Sequence, residues 1–564
     1  MASTDIALDL WELPFSVRGS WLDLSPVIGT HETADDVHLV SHVTGHHAVL
    51  RLAAASAGDA PVRIAATASH VTWSSGGGTV EAVFESPTAV RFRGTGLGMR
   101  FTASDELTPF TGGYLFTDPV DGAVTLTSYE TGRRYRFAVL SGTAAVSGDG
   151  DLGASERAVV FPPSAWEVRV SETEAGPSRS ERSAPFDELV GQRRAEFSRY
   201  CAGIAGPEAS PTAVKAAYVL WSATVQPAGF VGREAVLMSK HWMDKVWSWD
   251  HCFNALALAP LDPDAALDQF LLPFDHQDAR GALPDSITHS EVLYNFVKPP
   301  IHGWAFALLR ERVATPFDQG ALRLVHRRLA AWSRFWLAAR RAPGHVLPYY
   351  QHGNDSGWDN ATLFDRARVV ESPDLAAFLI LQLETLAGLS RELGEPAAEW
   401  EDARSELERA LFDQLWTGDR FVARAVADGS ASSTTSLLGS LPIVLGERLQ
   451  DGVADHLARA VEHRLTAWGP ATEPLDSPLY EPDGYWRGPV WAPSTYLVFD
   501  GLRRSGRSEL AERVARAFLA ACERSGFAEN FDALTGDGLR DRAYTWTAAV
   551  YLLLTADLRP SGEK

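Results

Sequence analysis

A chain of 564 residues is too long for one compact core, so two or three domains are expected. With 45% hydrophobic and 22% charged residues it reads as a globular protein, and its net charge of −21 argues against nucleic acid and anionic membranes, both of which need basic patches. No window approaches the ~18 consecutive apolar residues of a spanning helix. The opening residues lack the basic and apolar regions of a secretory signal. The three scattered cysteines, Cys201, Cys252 and Cys522, form no C-x-x-C pair and fit a reducing cytoplasm.

The first 175 residues read as β structure. Segments such as "VHLVSHVTGHHAVLRLA", "VRIAATASHVTW", "TVEAVFES" and "AVTLTSYETGRRYRFAVL" are short, β-branched and partly alternating, with Gly, Asp and Ser turns between them. Their close spacing predicts an antiparallel β-sandwich. "ETEAGPSRSERSAP" (172–185) has the composition of a linker, and we take 176–205 as linker plus linker helix. From about 186 apolar residues recur at three- and four-residue spacing. Ten segments read as helices: 186–204, 211–225, 262–274, 321–341, 372–394, 397–416, 453–465, 492–506, 508–526 and 543–558. Two more are expected around 250–260 and 300–312. No strands alternate with them, which excludes a parallel α/β sheet. About twelve helices fit an all-α (α/α)6 toroid, giving a catalytic domain at 206–564 with its unusual loops gathered at one mouth.

Those loops carry the chemistry. They are "KHWMDKVWSWDHCFNALAL" (240–258), "HQDARGALPDSITHSEVLYNFVKPPIHGWA" (276–305), "YYQHGNDSGWDNATLFD" (349–365), "YEPDGYWRGPVWAPSTY" (480–496) and "ENFDALTGDG" (529–538). Taken singly each has a plain explanation: a Trp beside a helix cap, a packed turn with Arg487 in a salt bridge, a surface turn. The last lacks the alternating ligands and terminal Glu of an EF-hand, which speaks against calcium at that loop, and no metal ligand or cofactor is assigned. No zincin, nucleophile-elbow or P-loop pattern occurs. Together, however, the loops combine aromatics with carboxylates and amides. Sugar rings offer apolar faces to aromatics and hydroxyls to carboxylates, and glycoside hydrolysis needs one protonated and one ionised carboxyl group.

The set "WSWDHCF", "GALPD", "KPPIHGWA", "SGWDNA", "GYWRGPVWAPSTY" and "ENFDALTG" resembles glycoside hydrolase family 63, and more loosely the trehalase and glucoamylase families, over about residues 210–556. The resemblance implies an inverting α-glycosidase. Asp359 matches that family's general acid, with Asp355 and Asp365 as local rivals. Glu529 matches its general base, with Asp532 as the rival. Asp250 is similar to a residue holding the sugar. Trp249, Trp358, Asn360, Trp486, Arg487 and Trp491 match subsite positions, Tyr294 is a further candidate substrate contact, and His289 and His302 read equally as substrate contacts or as satisfied structural histidines. Tyr294, Lys298 and Trp304 lie on the long 276–305 loop, read as a lid that sets aglycone preference. The implied substrate is a small α-glucoside, α-mannoside or sugar-glycerate. Two other readings stand beside it: a sugar epimerase using His241, His289 or His302 for proton transfer, and a carbohydrate-binding protein on an inactive barrel.

Overall fold

The computed structural model describes residues 6–55, 61–104, 113–151, 153, 155–174, 184–432 and 435–559. Most of the expected linker, 172–185, lies outside them. The chain divides into two compact units, Met1–Lys245 with Thr288–Ser290, and Val246–Ile287 with Glu291–Lys564.

The first unit is built on two antiparallel sheets. The six-stranded sheet runs, edge to edge, through Leu22–Gly29, Glu32–Ser41, His47–Ala55, Gly98–Ala103, Ala158–Phe161 and Ala145–Ser147. The eight-stranded sheet runs through Arg63–Ala66, Val71–Ser75, Gly78–Ser86, Ala89–Thr95, Ala165–Thr173, Arg134–Ser141, Val124–Thr127 and Tyr114–Thr117. Alternating inward residues make the core between them. Phe101 of the first sheet meets Phe92 at 5.0 Å and Phe137 at 5.6 Å from the second, and Phe161 stacks on Trp166 at 4.5 Å. Gly94 is required there, because a Cβ would lie 2.1 Å from the Trp166 ring.

Two helices complete this unit, α1 (Phe186–Ala205) and α2 (Pro211–Ala223). Helix α1 docks on the sandwich: Phe186 and Leu189 bury against Val83, while Arg93 lies 4.2 Å over the Phe186 ring and pairs with Asp187. Helix α2 starts where Ser210 caps the Ala213 amide ahead of Pro211. Beneath them lies a buried polar knot. The His42 imidazole is held between Asp23 Oδ2 (2.8 Å) and Asp244 Oδ2 (3.1 Å). Burial alone would lower the His42 pKa, but the two carboxylates outweigh it and raise it to about 9. A group raised on folding contributes fully below its unfolded pKa of about 6.5 and loses that contribution as pH rises through about 9. The rise is worth on the order of 3 kcal/mol. The difference in melting temperature between wild type and His42→Gln is therefore expected to change from pH 7 to 10, as wild type loses the His42 contribution, whereas Lys240, which burial lowers to about 7, acts in both proteins; parallel profiles for the two proteins would contradict this.

The second unit holds ten α-helices among its described residues: α3 (His251–Leu258), α4 (Pro263–Asp275), α5 (His302–Arg312), α6 (Gln319–Ala339), α7 (Pro373–Leu393), α8 (Ala398–Leu415), α9 (Asp451–His463), α10 (Ala492–Arg504), α11 (Ser508–Ser525) and α12 (Thr545–Asp557). Asp262 and Asp318 cap the first turns of α4 and α6, and Gly394 in the left-handed conformation closes α7. An inner ring closes on itself as α3, α5, α7, a 3-10 segment Leu437–Arg448, α10 and α12, with α12 returning to α3. Helices α4, α6, α8, α9 and α11 pack outside it. This is the (α/α)6 toroid. All twelve expected helices form, yet two of them, α1 and α2, belong to the sandwich unit, and the sixth inner position is the 3-10 segment absent from the sequence reading. Pro442 lacks an N–H and Gly446 turns to φ 58 inside it, so the α pattern is broken although the apolar face is kept. Among the described residues no helix is long and apolar enough to cross a membrane.

Candidate active site

Asp250 and Trp491 immediately precede inner helices α3 and α10, and the loops carrying Asp359 and Glu529 lead into α7 and α12. Helix N-termini carry partial positive charge, so they favour a cluster of carboxylates. Lys298, just before α5, adds a full charge. It is 5% exposed, donates to the Asn354 carbonyl at 3.0 Å, pairs with Asp285 at 3.1 Å and stands 5.3 Å over the Trp247 ring. The lid reading of Lys298 is thus corrected: it is a fixed cation within the carboxylate cluster. Trp304 is no lid residue either, being buried on α5 with its indole N–H on Asp500 at 2.9 Å.

Four carboxyl groups share this field. Burial pushes Asp250 up to about 8, with Lys298 opposing and Asp359 and Asp285 adding to the rise. Burial also raises Asp285 and Asp359, again against Lys298. Asp359 keeps some exposed surface, although protein crowds its carboxyl. Glu529 is 2% exposed and is raised to about 7, first by burial, then by Asp541; a hydrogen bond from Tyr485 and the charge of Arg540 oppose this, and Asp359 adds to it. One oxygen each of Glu529 and Asp250 is buried without a hydrogen-bond partner. Such oxygens are costly unless something polar meets them.

The rivals are engaged elsewhere. Asp355 accepts from Arg340 at 2.6 Å and from the amides of Gln351 (2.8 Å) and Val297 (3.1 Å). Asp365 pairs with Arg487. Asp532 caps its own turn by accepting from the amides of Leu534 and Thr535.

The tryptophans form one continuous wall. Trp358 stacks on Trp486 at 4.6 Å, Trp486 on Trp491 at 3.9 Å and 6°, and Trp546 bridges Trp491 (5.6 Å) to Trp249 (5.8 Å). Gly357 presses its backbone onto Trp249 with φ +74, where a Cβ would lie 2.6 Å from the ring. Asn360 ties this wall together: its amide donates to Gly484 O and accepts from Trp486 N, both at 3.0 Å. Two of the sequence-derived contacts stand apart. Tyr294 is 51% exposed and donates its hydroxyl to the His276 carbonyl. His302 is fully enclosed beside the rings of His251, Phe270, Phe274 and Trp332, so the sequence reading of it as a sugar ligand is corrected to a buried core position.

Sequence reasoning passed over Tyr485 and Arg540, which stand beside Glu529. Both adopt positive φ (62° and 64°), rare for residues with a Cβ, and Arg540 lies 4.9 Å over the Tyr485 ring. Tyr485 stood in the quoted "GYWRGP"; Arg540 had no signal of its own.

Comparison with known proteins places this arrangement. Residues 243–547 match the family model described as the mannosylglycerate hydrolase MGH1-like glycoside hydrolase domain. The chain belongs to this family, within glycoside hydrolase family 63, and is a glycoside hydrolase. It is 26% identical over 408 residues to a mannosylglycerate hydrolase of Rubrobacter radiotolerans (54% of this chain, 89% of that one). It is 24% identical over 451 residues to a glucosylglycerate hydrolase of Mycolicibacterium hassiacum (61% and 98%). The crystal structure of a family 63 mannosylglycerate hydrolase from Thermus thermophilus in complex with glucose covers 61% of this chain and 100% of its own, with 25% identity and a TM-score of 0.55. A bacterial glucoamylase complexed with acarbose shares the fold over 98% of this chain and 95% of its own, with 10% identity and a TM-score of 0.62.

Proposed function

We propose that the chain hydrolyses a small α-linked glucosyl- or mannosyl-glycerate, or a close α-glucoside, with inversion. Asp359 serves as the general acid that protonates the leaving oxygen, and Glu529 as the general base that activates water. Asp250 accepts hydrogen bonds from hydroxyls of the glycosyl group under attack, with the tryptophan wall and Arg487 shaping its subsite. The observation that carries the reading is the pairing of Asp359 and Glu529 in one charge cluster, each raised toward the working range, with a buried Glu529 oxygen left free for a water. Relatives named for sugar-glycerate hydrolysis support the substrate class. The engagement of Asp355, Asp365 and Asp532 by other partners favours Asp359 and Glu529 over them. The enclosure of His302 weakens the epimerase reading, and three unbridged cysteines support a reducing, cytoplasmic setting. The test is a panel of mannosylglycerate, glucosylglycerate, trehalose and maltose, scored by released monosaccharide. Release from at least one sugar-glycerate and little from the disaccharides is expected; the reverse order would replace the substrate class.

The pH profile follows from the base. Glu529 must be ionised, and its pKa in the free enzyme stands at about 7, so kcat/KM is expected to fall about tenfold per pH step below it. The alkaline limb reports the second proton of the pair, and burial raises Asp359 as well. The two limbs belong to the coupled pair. Measured with a sugar-glycerate, an acid limb below pH 5 would contradict a buried base.

A further inference from the structure

In the helical unit, His251 and Cys252 at the start of α3 and His302 at the start of α5 bring their side-chain donor atoms within 4.8 Å of one another. Among the described residues this is the only such grouping of three. All are buried, at 1%, 0% and 0% exposure. As a plain core cluster it is poorly satisfied. His251 Nδ1 lies 3.0 Å from the Trp247 carbonyl and its Nε2 lies 3.8 Å from Cys252 Sγ, with the Phe270 backbone as a further polar neighbour of the ring. His302 makes no well-aligned hydrogen bond through either ring nitrogen; the Ser248 backbone is the polar group it approaches. A fully buried imidazole in that condition costs about 1–3 kcal/mol.

We propose that His251, Cys252 and His302 form a three-coordinate site for a monovalent soft cation, Cu(I), that ties inner helices α3 and α5 together. Metal bonds of ~2.0–2.3 Å to nitrogen and sulfur at a trigonal angle place the two donors ~3.8 Å apart, which is the separation found. A ligating histidine that donates its other N–H to a backbone carbonyl is the usual supporting arrangement, and His251 already has it. Thiolate and imidazole are the donors that soft and borderline metals prefer. Charge then selects among them. Phe270, Phe274 and Trp332 enclose His302 without a counter-charge, and the carboxyl that acts on Cys252 is Asp250 of the active site. Cu(I) with one thiolate and two neutral imidazoles is neutral overall without drawing on Asp250, whereas Zn(II) would leave a buried positive charge that Asp250 would have to offset. Burial holds both imidazoles neutral at pH 7 and keeps the free thiol protonated. Binding therefore exchanges the thiol proton for the metal: Cys–SH and Cu(I) give Cys–S–Cu(I) and one released H⁺.

Because the site is enclosed, the metal must enter during folding. The full chain is therefore produced in cells given copper and zinc, purified anaerobically and dialysed against a Cu(I) chelator, with metal counted by mass spectrometry. Wild type and the Cys201→Ser control are expected to retain copper near one ion per chain, and Cys252→Ser and Cys252→Ala at least about tenfold less. X-ray absorption of the wild type is expected to show one sulfur and two nitrogen neighbours, which tests the proposal even where a variant fails to fold. Wild type without copper, variants with as much as wild type, or zinc in copper's place would each overturn it.

Discussion

Glu529→Gln is expected to lower kcat by at least ~10²–10⁴-fold on every substrate, whatever its leaving group. Glutamine keeps the shape but cannot take a proton from water, and water attack is needed however good the leaving group is. Asp359→Asn is expected to cost as much on a natural glycoside, because an alkoxide leaves poorly without protonation. With an activated aryl glycoside the leaving group needs little proton assistance, so Asp359→Asn should recover much of its rate while Glu529→Gln stays inactive. This divergence separates acid from base where rate loss alone does not. Both variants are expected to retain the fold, since Asp359 keeps exposed surface and Glu529 is held against Tyr485 in a carboxamide-compatible way. Rescue of Glu529→Gln but not of Asp359→Asn would reverse the assigned roles.

The next largest effect is expected at Asp355, which touches no proposed catalytic group. Its carboxylate pairs with Arg340 and accepts two backbone amides, joining the acid loop to the Lys298 segment. Arg340 is 8% exposed and lies 5.7–5.8 Å over Phe335 and Trp336, so little water reaches it. Removing one partner of a buried pair leaves an uncompensated charge, worth ~3–5 kcal/mol. Asp355→Ala is accordingly expected to lower the melting temperature of the helical unit clearly and to lower kcat, because the loop carrying Asp359 loses its anchor. A variant with unchanged melting and unchanged kcat would show that the pair holds nothing in place.

Much of the fold was legible because it rests on local periodicity. The apolar spacing in 321–341 and 508–526 marks helices without any tertiary knowledge. The 3-10 segment was illegible for the opposite reason: "LLGSLPIVLGER" owes its place in the ring to apolar burial alone, against its own Pro and Gly. At the site, residue types were legible but partners were not. That Asp365 is engaged by Arg487, 122 positions away, or Asp355 by Arg340, is a fact of tertiary structure that one sequence does not encode in any spacing. The same limit misread Lys298 and Trp304 as lid residues and left His302 open between sugar contact and core, since polar and aromatic residues on a loop look alike whether they turn in or out. The positive φ of Tyr485 and Arg540 has no sequence signature at all, because neither is glycine or asparagine.

The central claim is that Asp359 and Glu529 act on opposite faces of an α-glycosidic bond with a water between Glu529 and the sugar. Inversion at the anomeric carbon is its direct consequence. Proton NMR of the wild-type reaction on an α-linked sugar-glycerate, followed over the first minutes before mutarotation, is expected to show the β anomer of the released sugar first. An initial α anomer would mean net retention, and would contradict Glu529 as the base that activates water.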